Sequence, residues 1–293
     1  MKKFLTAVAF LLFAAGGCFA DGHVIPYPEG YDLISAGSSA YQGVGNSVDS
    51  PYFPKHDFYN MPERPGLYLL RGFRTYQQTK EMSSAPACAL TVLDYFGEKN
   101  YTELGLVEKM GTHLGFSENG EIGTGVYKLG KFFHKLGWEV TTSIDSGREN
   151  AVTCQSRQDF KKFVIDALKK DTPVMVENMY MGGKWRVIIG YDTMNTPAMS
   201  DDVLIFMNPY DVFDHSQDGY SVETVEYFYF TWLDIGLMPR GQQMQPWVKA
   251  RPAEKKIVHE TESVMDKEET LKMPLSSDIK EPEPIFDDIA PQG

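Results

Sequence analysis

A side-chain amide and a hydroxyl group, Gln78 and Ser84, stand just before a predicted helix. The helix is indicated by apolar residues at spacing i, i+3, i+4 and i+7 with a glycine stop after them: Ala89, Val92, Leu93, Phe96 and Gly97. Pro86 falls in the first turn, where a proline is tolerated. Because a helix N-terminus carries free N–H groups and partial positive charge, it lowers a thiol's pKa and can hold an oxyanion. We therefore expect the residues that carry catalytic or binding chemistry to lie near residues 78–90.

The predicted secondary structure changes from helices to strands along the chain. Apolar residues with helical spacing predict two more helices, at 125–136 and 159–170. Beyond them, short β-branched runs bounded by turn residues predict strands at 172–177, 185–191 and 203–207. Helices followed by strands are typical of an α+β domain with an antiparallel sheet.

Composition and charge limit the class of protein. The chain has 293 residues, of which 42% are hydrophobic and 23% charged, so it can form a packed core. Its net charge of −12 argues against nucleic acid as a partner, because binding to phosphates needs a basic face. Beyond the N-terminus no stretch approaches about 18 consecutive apolar residues, so no membrane span is predicted. We also expect no metal and no cofactor.

The N-terminus has the three-part pattern of a secretory signal peptide, predicted to span residues 1–20. Two lysines precede an apolar run at 4–15, and small residues at Cys18 and Ala20 provide a cleavage site after Ala20. The protein is therefore expected to be secreted or periplasmic. The alternative, a lipoprotein signal with Cys18 acylated, is less favoured because the position three before the cysteine is normally larger and aliphatic.

Three further segments are predicted. Residues 21–66 are rich in Gly, Ser, Pro and Tyr and are interpreted as an irregular N-terminal arm, followed by one domain at 67–252. Residues 253–293 carry five lysines and eleven acidic residues, a net charge of −6, which predicts a disordered acidic tail. After signal cleavage two cysteines remain, Cys88 and Cys154, and both a disulfide and two separate buried thiols stay open as interpretations.

Several stretches together resemble papain-like cysteine peptidases of the bacterial bacteriocin-leader-processing type (peptidase family C thirty-nine). The matching stretches are Gln78 with Ser84-Ala85-Pro86-Ala87, then Gly183-Lys184-Trp185, Gly190-Tyr191-Asp192 and Asn208-Pro209-Tyr210-Asp211. The resemblance covers roughly residues 70–250. It implies a papain-like fold, with an N-terminal helical half packed on a C-terminal antiparallel β-sheet, and a cleft that binds a peptide or protein segment.

The resemblance also implies a role for four residues. Gln78 matches the oxyanion-hole amide, Ser84 the nucleophile position, Lys184 the general-base position and Asn208 the orienting position. The family has cysteine at the position of Ser84 and histidine at the position of Lys184. This branch usually has aspartate at the position of Asn208. The two residues that would move the proton and the electron pair are thus both replaced.

Three functions follow from these substitutions. The first is a catalytically inactive pseudopeptidase that binds a peptide or protein segment. The second is a hydrolase with Ser84 as nucleophile and Lys184 as base; Ser–Lys pairs do occur, but lysine has a reference pKa near ~10.4 and is a poor base unless its pKa is depressed. The third is a structural or envelope-interaction protein in which the arm and the acidic tail do the work. We favour the first.

Overall fold

The structure is a computed structural model. It describes residues 22–33, 36–41, 50–118, 121–179 and 182–253. The chain divides into two compact units, Met1–Ile257 and Val258–Gly293, and the second lies outside the described residues. The predicted signal peptide and nearly all of the predicted acidic tail also lie outside them.

Five α-helices and one 3-10 helix are described. The 3-10 helix is Ser38–Tyr41, and the α-helices are α1 (Ser84–Tyr95), α2 (Glu103–Met110), α3 (Val126–Lys135), α4 (Arg157–Leu168) and α5 (Val225–Thr231). The three predicted helices correspond to α1, α3 and α4. Ser156 caps α4 by accepting a hydrogen bond from the Asp159 N–H, which accounts for its start two residues earlier than predicted.

Seven strands form one sheet. They are β1 (Leu67–Leu69), β2 (Trp138–Thr142), β3 (Val174–Asn178), β4 (Lys184–Asp192), β5 (Val203–Met207), β6 (Tyr220–Thr224) and β7 (Trp247–Pro252). The order across the sheet is β2-β7-β3-β4-β5-β6, and β1 pairs with β4 beyond the end of β3. Every pairing between these strands is antiparallel. The prediction of an α+β domain with helices packed on an antiparallel sheet is confirmed.

Helix α1 is buried far more completely than its apolar stripe suggested. Ten consecutive residues, Ser84 to Leu93, are buried. The helix packs against β4 and against α2, so it has neighbours on more than one side. The i, i+3, i+4 and i+7 spacing is typical of an amphipathic helix, which has one apolar face, whereas α1 is buried on all sides over these ten residues. Burial of small residues such as Ala85, Ala87 and Ala89 lets the neighbouring backbones approach closely.

Two aromatic clusters hold the helices to the sheet. Trp138 at the start of β2 packs edge-on against Phe96, and against Phe133 of α3. In the second cluster Phe228 of α5 packs against Phe206 of β5, and Phe160 of α4 packs against Phe228 and Trp232. Among the helices within the described residues, none has the length and apolar character needed to cross a membrane.

Candidate functional site

The structure brings the four predicted site residues into one region. Ser84 is the first residue of α1 and Lys184 the first residue of β4. The Trp185 N–H donates a hydrogen bond to Ser84 Oγ at 3.1 Å, so the start of the strand is joined to the start of the helix. Asn208 follows β5, and the Gln78 N–H donates to the carbonyl of the next residue, Pro209, at 2.9 Å.

Lys184 is buried, with 1% of its surface exposed, and its ammonium group is fully engaged. Nζ donates to the Glu81 carbonyl oxygen at 2.9 Å and to Glu81 Oε1 at 2.7 Å. It also lies 4.6 Å from the centre of the Tyr210 ring, and the Tyr210 hydroxyl donates to Glu81 Oε2 at 3.0 Å. These partners suit a charged ammonium, because a carboxylate, a carbonyl oxygen and an aromatic face all attract positive charge.

Ser84 does not meet this lysine through a hydrogen bond. Among the described residues, no hydrogen bond joins Lys184 Nζ to Ser84 Oγ, and the serine oxygen instead accepts from the Trp185 N–H. A Ser–Lys catalytic pair requires the lysine nitrogen to take the serine proton, so that its lone pair must face the hydroxyl. The ammonium of Lys184 is directed toward Glu81 instead.

The space beside Ser84 is small. Ser84 is 6% exposed, and it borders a cavity of only about 20 Å³. That volume holds about one water molecule and excludes a peptide carbonyl with its flanking residues. The cavity is lined by Met82, Ser84, Ile122, Gly123, Thr124, Glu177, Gly183, Trp185, Leu237 and Met238.

Gln78 uses both N–H groups of its side chain within its own loop. The fully buried amide donates to the Lys80 and Glu81 carbonyl oxygens, each at 2.8 Å. Its Oε1 is left without a hydrogen-bond partner in the described part of the chain. An oxyanion-hole amide must aim a free N–H at the reacting oxygen. Here the two donors shape the turn that presents Glu81 to Lys184.

Asn208 also has a local structural role. Its Oδ1 accepts a hydrogen bond from the Tyr210 N–H at 3.0 Å, and its Nδ2 donates to Ser221 Oγ at 3.3 Å. The first contact is an Asx turn, in which an asparagine side chain stabilises the turn of its own backbone. Asn208 thereby positions Tyr210, whose ring covers the Lys184 ammonium.

Sequence reasoning missed two acidic residues that organise the site. Glu81 is the counter-ion of Lys184. Glu103 of α2 is fully buried and receives hydrogen bonds from four groups on the segment before α1: the Tyr76 hydroxyl, the Thr79 N–H, the Thr79 hydroxyl and the Ser83 hydroxyl. A local signal for α2 existed in Thr102, which caps the helix, and Gly111, which ends it.

Neither cysteine of the domain is a poised nucleophile. Cys88 and Cys154 are free and buried, which agrees with the interpretation as two separate thiols. Burial raises the pKa of the Cys88 thiol well above its usual value, and it raises the pKa of Cys154 to about 12. A thiol that stays protonated at neutral pH is a poor nucleophile.

The acidic turn after Asn208 is a further cluster of titratable groups. Burial and the neighbouring Asp214 and Asp218 raise the pKa of Asp211, and burial raises the pKa of Asp218 to about 6. Within the described ranges, no group of three or more His, Cys, Asp or Glu side chains is placed to share a metal ion.

Comparison with known proteins adds no family assignment. No protein-family model matches the chain. No curated protein matches it either. What can be said of the site therefore depends on the geometry described above.

Proposed function

We propose that this protein is a papain-like pseudopeptidase: a domain that keeps the peptidase scaffold, lacks catalysis and binds a peptide or protein segment. The scaffold half of this proposal is supported by the placement of the matching stretches. Ser84 begins a buried helix, Lys184 begins the strand against which that helix packs, and Asn208 follows the neighbouring strand.

The loss of catalysis is supported by one observation above all. The group at the general-base position, Lys184, forms an ion pair with Glu81 and contacts the Tyr210 ring, with no hydrogen bond to Ser84 in the described residues. An ammonium in this environment has no lone pair to accept the serine proton. The amide of Gln78 is likewise bound to backbone carbonyl oxygens, so the oxyanion donor is occupied.

The binding half of the proposal is supported by exposed apolar side chains on segments next to the cavity lining. Two exposed apolar residues follow His113, which pairs with the lining residue Gly123; another lies two residues before the lining residue Leu237, and a fourth directly follows β3. These residues are Leu114, Phe116, Ile235 and Met179. Exposed apolar side chains on neighbouring segments are a feature of surfaces that bind other chains. The partner segment would lie across this rim rather than enter the space beside Ser84.

A binding assay with rim variants tests the proposal. The purified protein is mixed with a fluorescent peptide library of mixed sequence, and bound peptides are eluted and weighed by mass spectrometry. We expect intact peptides to be recovered, and we expect Phe116→Ser and Ile235→Ser to lower the bound fraction. The control is Val222→Ser on β6, which replaces another exposed apolar residue away from the cavity lining. Equal binding by all three variants would contradict the proposed surface, and truncated peptides would contradict the loss of catalysis.

A further inference from the structure

Two buried carboxyl groups meet beside the Ser84 cavity. Glu177 lies on β3 opposite Trp185, and Asp234 follows α5; their exposed fractions are 2% and 1%. Both reach the backbone of Gly183: a Cβ atom placed there would lie 2.5 Å from Asp234 Oδ2 and 3.2 Å from Glu177 Oε1. We call these two residues the acid pair. Nothing in the proposed function uses them.

Each acid of the pair has one carboxyl oxygen without a hydrogen-bond donor, and one shared proton would satisfy both. Asp234 Oδ1 accepts from the N–H groups of Gly236 at 2.7 Å and Leu237 at 2.9 Å. Glu177 Oε2 and Asp234 Oδ2 have no hydrogen-bond donor among the described residues. Two carboxylates buried this close together cannot both be charged without a large cost, so a protonated Glu177 that donates to Asp234 satisfies both.

The environment of the acid pair favours the protonated form of Glu177. Burial and the hydrogen bond with Asp234 raise the pKa of Glu177 well above its usual value, and the Arg186 guanidinium on β4 opposes this only in part. Arg186 forms its ion pair with Glu223 and also donates to Asn178. The nearest lysine on the same strand, Lys184, is paired with Glu81. From α1 and the 122–124 segment, the residues that line the cavity bring no charged side chain.

The acid pair also joins two parts of the cavity wall. Asp234 begins a short segment, residues 234–238, that we call the lid. Leu237 and Met238 of the lid line the cavity next to Ser84, while Glu177 lines it from β3. The shared proton is thus a direct link between the lid and the sheet.

We propose that the proton shared by Glu177 and Asp234 holds the lid closed over Ser84, and that its loss at higher pH opens the lid. The sign follows from linkage: a carboxyl group that is protonated in the closed state stabilises that state at low pH, and the stabilisation is lost as the pH rises toward its raised pKa. Opening would expose Ser84 and the apolar residues around it, Met82, Ile122 and Trp185. This proposal does not depend on peptide binding by the rim.

Hydrogen exchange measured by mass spectrometry on the full chain tests the proposal. The N–H groups of Gly236 and Leu237 are bound to Asp234, so a peptide covering 232–243 reports lid opening. After correction for the intrinsic pH dependence of exchange, we expect protection of this peptide to fall at least about tenfold between pH 5.5 and 8.5, the change that corresponds to one unit of pKa shift. The peptide covering β7, residues 247–252, is the internal control and should not change.

The matched variant is Glu177→Gln, which keeps the shape of the side chain but cannot titrate. We expect its 232–243 peptide to show the same protection at both pH values. Asp234→Asn retains the Oδ1 acceptor for the two N–H groups, and it decides the question if Glu177→Gln does not fold. Protection that is independent of pH in the unsubstituted protein would overturn the proposal, as would an equal fall in the folded variant.

Discussion

Removal of the Glu81 carboxylate should lower the free energy of unfolding more than removal of the Lys184 ammonium. In Glu81→Gln the Lys184 ammonium, which is 1% exposed, loses its carboxylate partner but remains buried. Removing one partner of a buried ion pair costs about 3–5 kcal/mol, and we expect about 3 kcal/mol because water reaches the half-exposed Glu81 side. In Lys184→Met the buried charge is absent, and the remaining carboxylate is hydrated, so we expect a change within about 1 kcal/mol.

Urea unfolding at pH 7, followed by tryptophan fluorescence, measures these free energies of unfolding. The double variant Glu81→Gln/Lys184→Met should resemble Lys184→Met, because the stranded charge is then absent. Glu139→Gln is the matched control: it removes the carboxylate from the surface pair with Arg251, where both partners are substantially exposed and the loss should be within about 1 kcal/mol. The reasoning is refuted if Glu81→Gln costs no more than Glu139→Gln, or if Lys184→Met costs as much as Glu81→Gln.

Two further predictions concern the acid pair and the thiols. Gly183→Ala should lower the free energy of unfolding by roughly 1–3 kcal/mol more than Gly182→Ala, as measured by urea unfolding. Both glycines have positive φ, but only a Cβ at Gly183 would meet Asp234 Oδ2, at 2.5 Å. Equal losses would show that the carboxyl group is not held there. In the native protein, Cys88 and Cys154 should resist alkylation by iodoacetamide. In urea without a reductant, both should be alkylated, as measured by intact mass. An unalkylated protein two mass units lighter than the reduced form would instead reveal a disulfide.

The parts of the fold that could be predicted from sequence were those with a strong local signal. Helices α3 and α4 have clear apolar spacing, and strand β5 was predicted with its observed bounds, Val203–Met207. The eight-residue helix α2 and the aromatic helix α5 were missed. Short helices carry little periodicity, and the aromatic residues of α5 are as common in strands.

The site illustrates a different limit of sequence reasoning. Hydrogen bonds join the segments that carry the four predicted positions, from the Trp185 N–H to Ser84 Oγ and from the Gln78 N–H to the Pro209 carbonyl oxygen. The partners that determine their chemistry could not be predicted: Glu81 and Lys184 are 103 residues apart, and the acid pair joins β3 to a segment after α5. Such contacts are set by how the helices and the sheet pack, and no local pattern near either residue records them.

The most direct test of the account is whether Ser84 can act as a nucleophile. The purified protein and its Ser84→Ala variant are incubated in parallel with a peptide library at pH 7, and new peptide termini are counted by mass spectrometry. We expect the two proteins to give the same background, because Lys184 is bound to Glu81 and the Ser84 cavity holds about one water molecule. Cleavage that is present in the unsubstituted protein and absent from Ser84→Ala would contradict the central claim that this site is not catalytic.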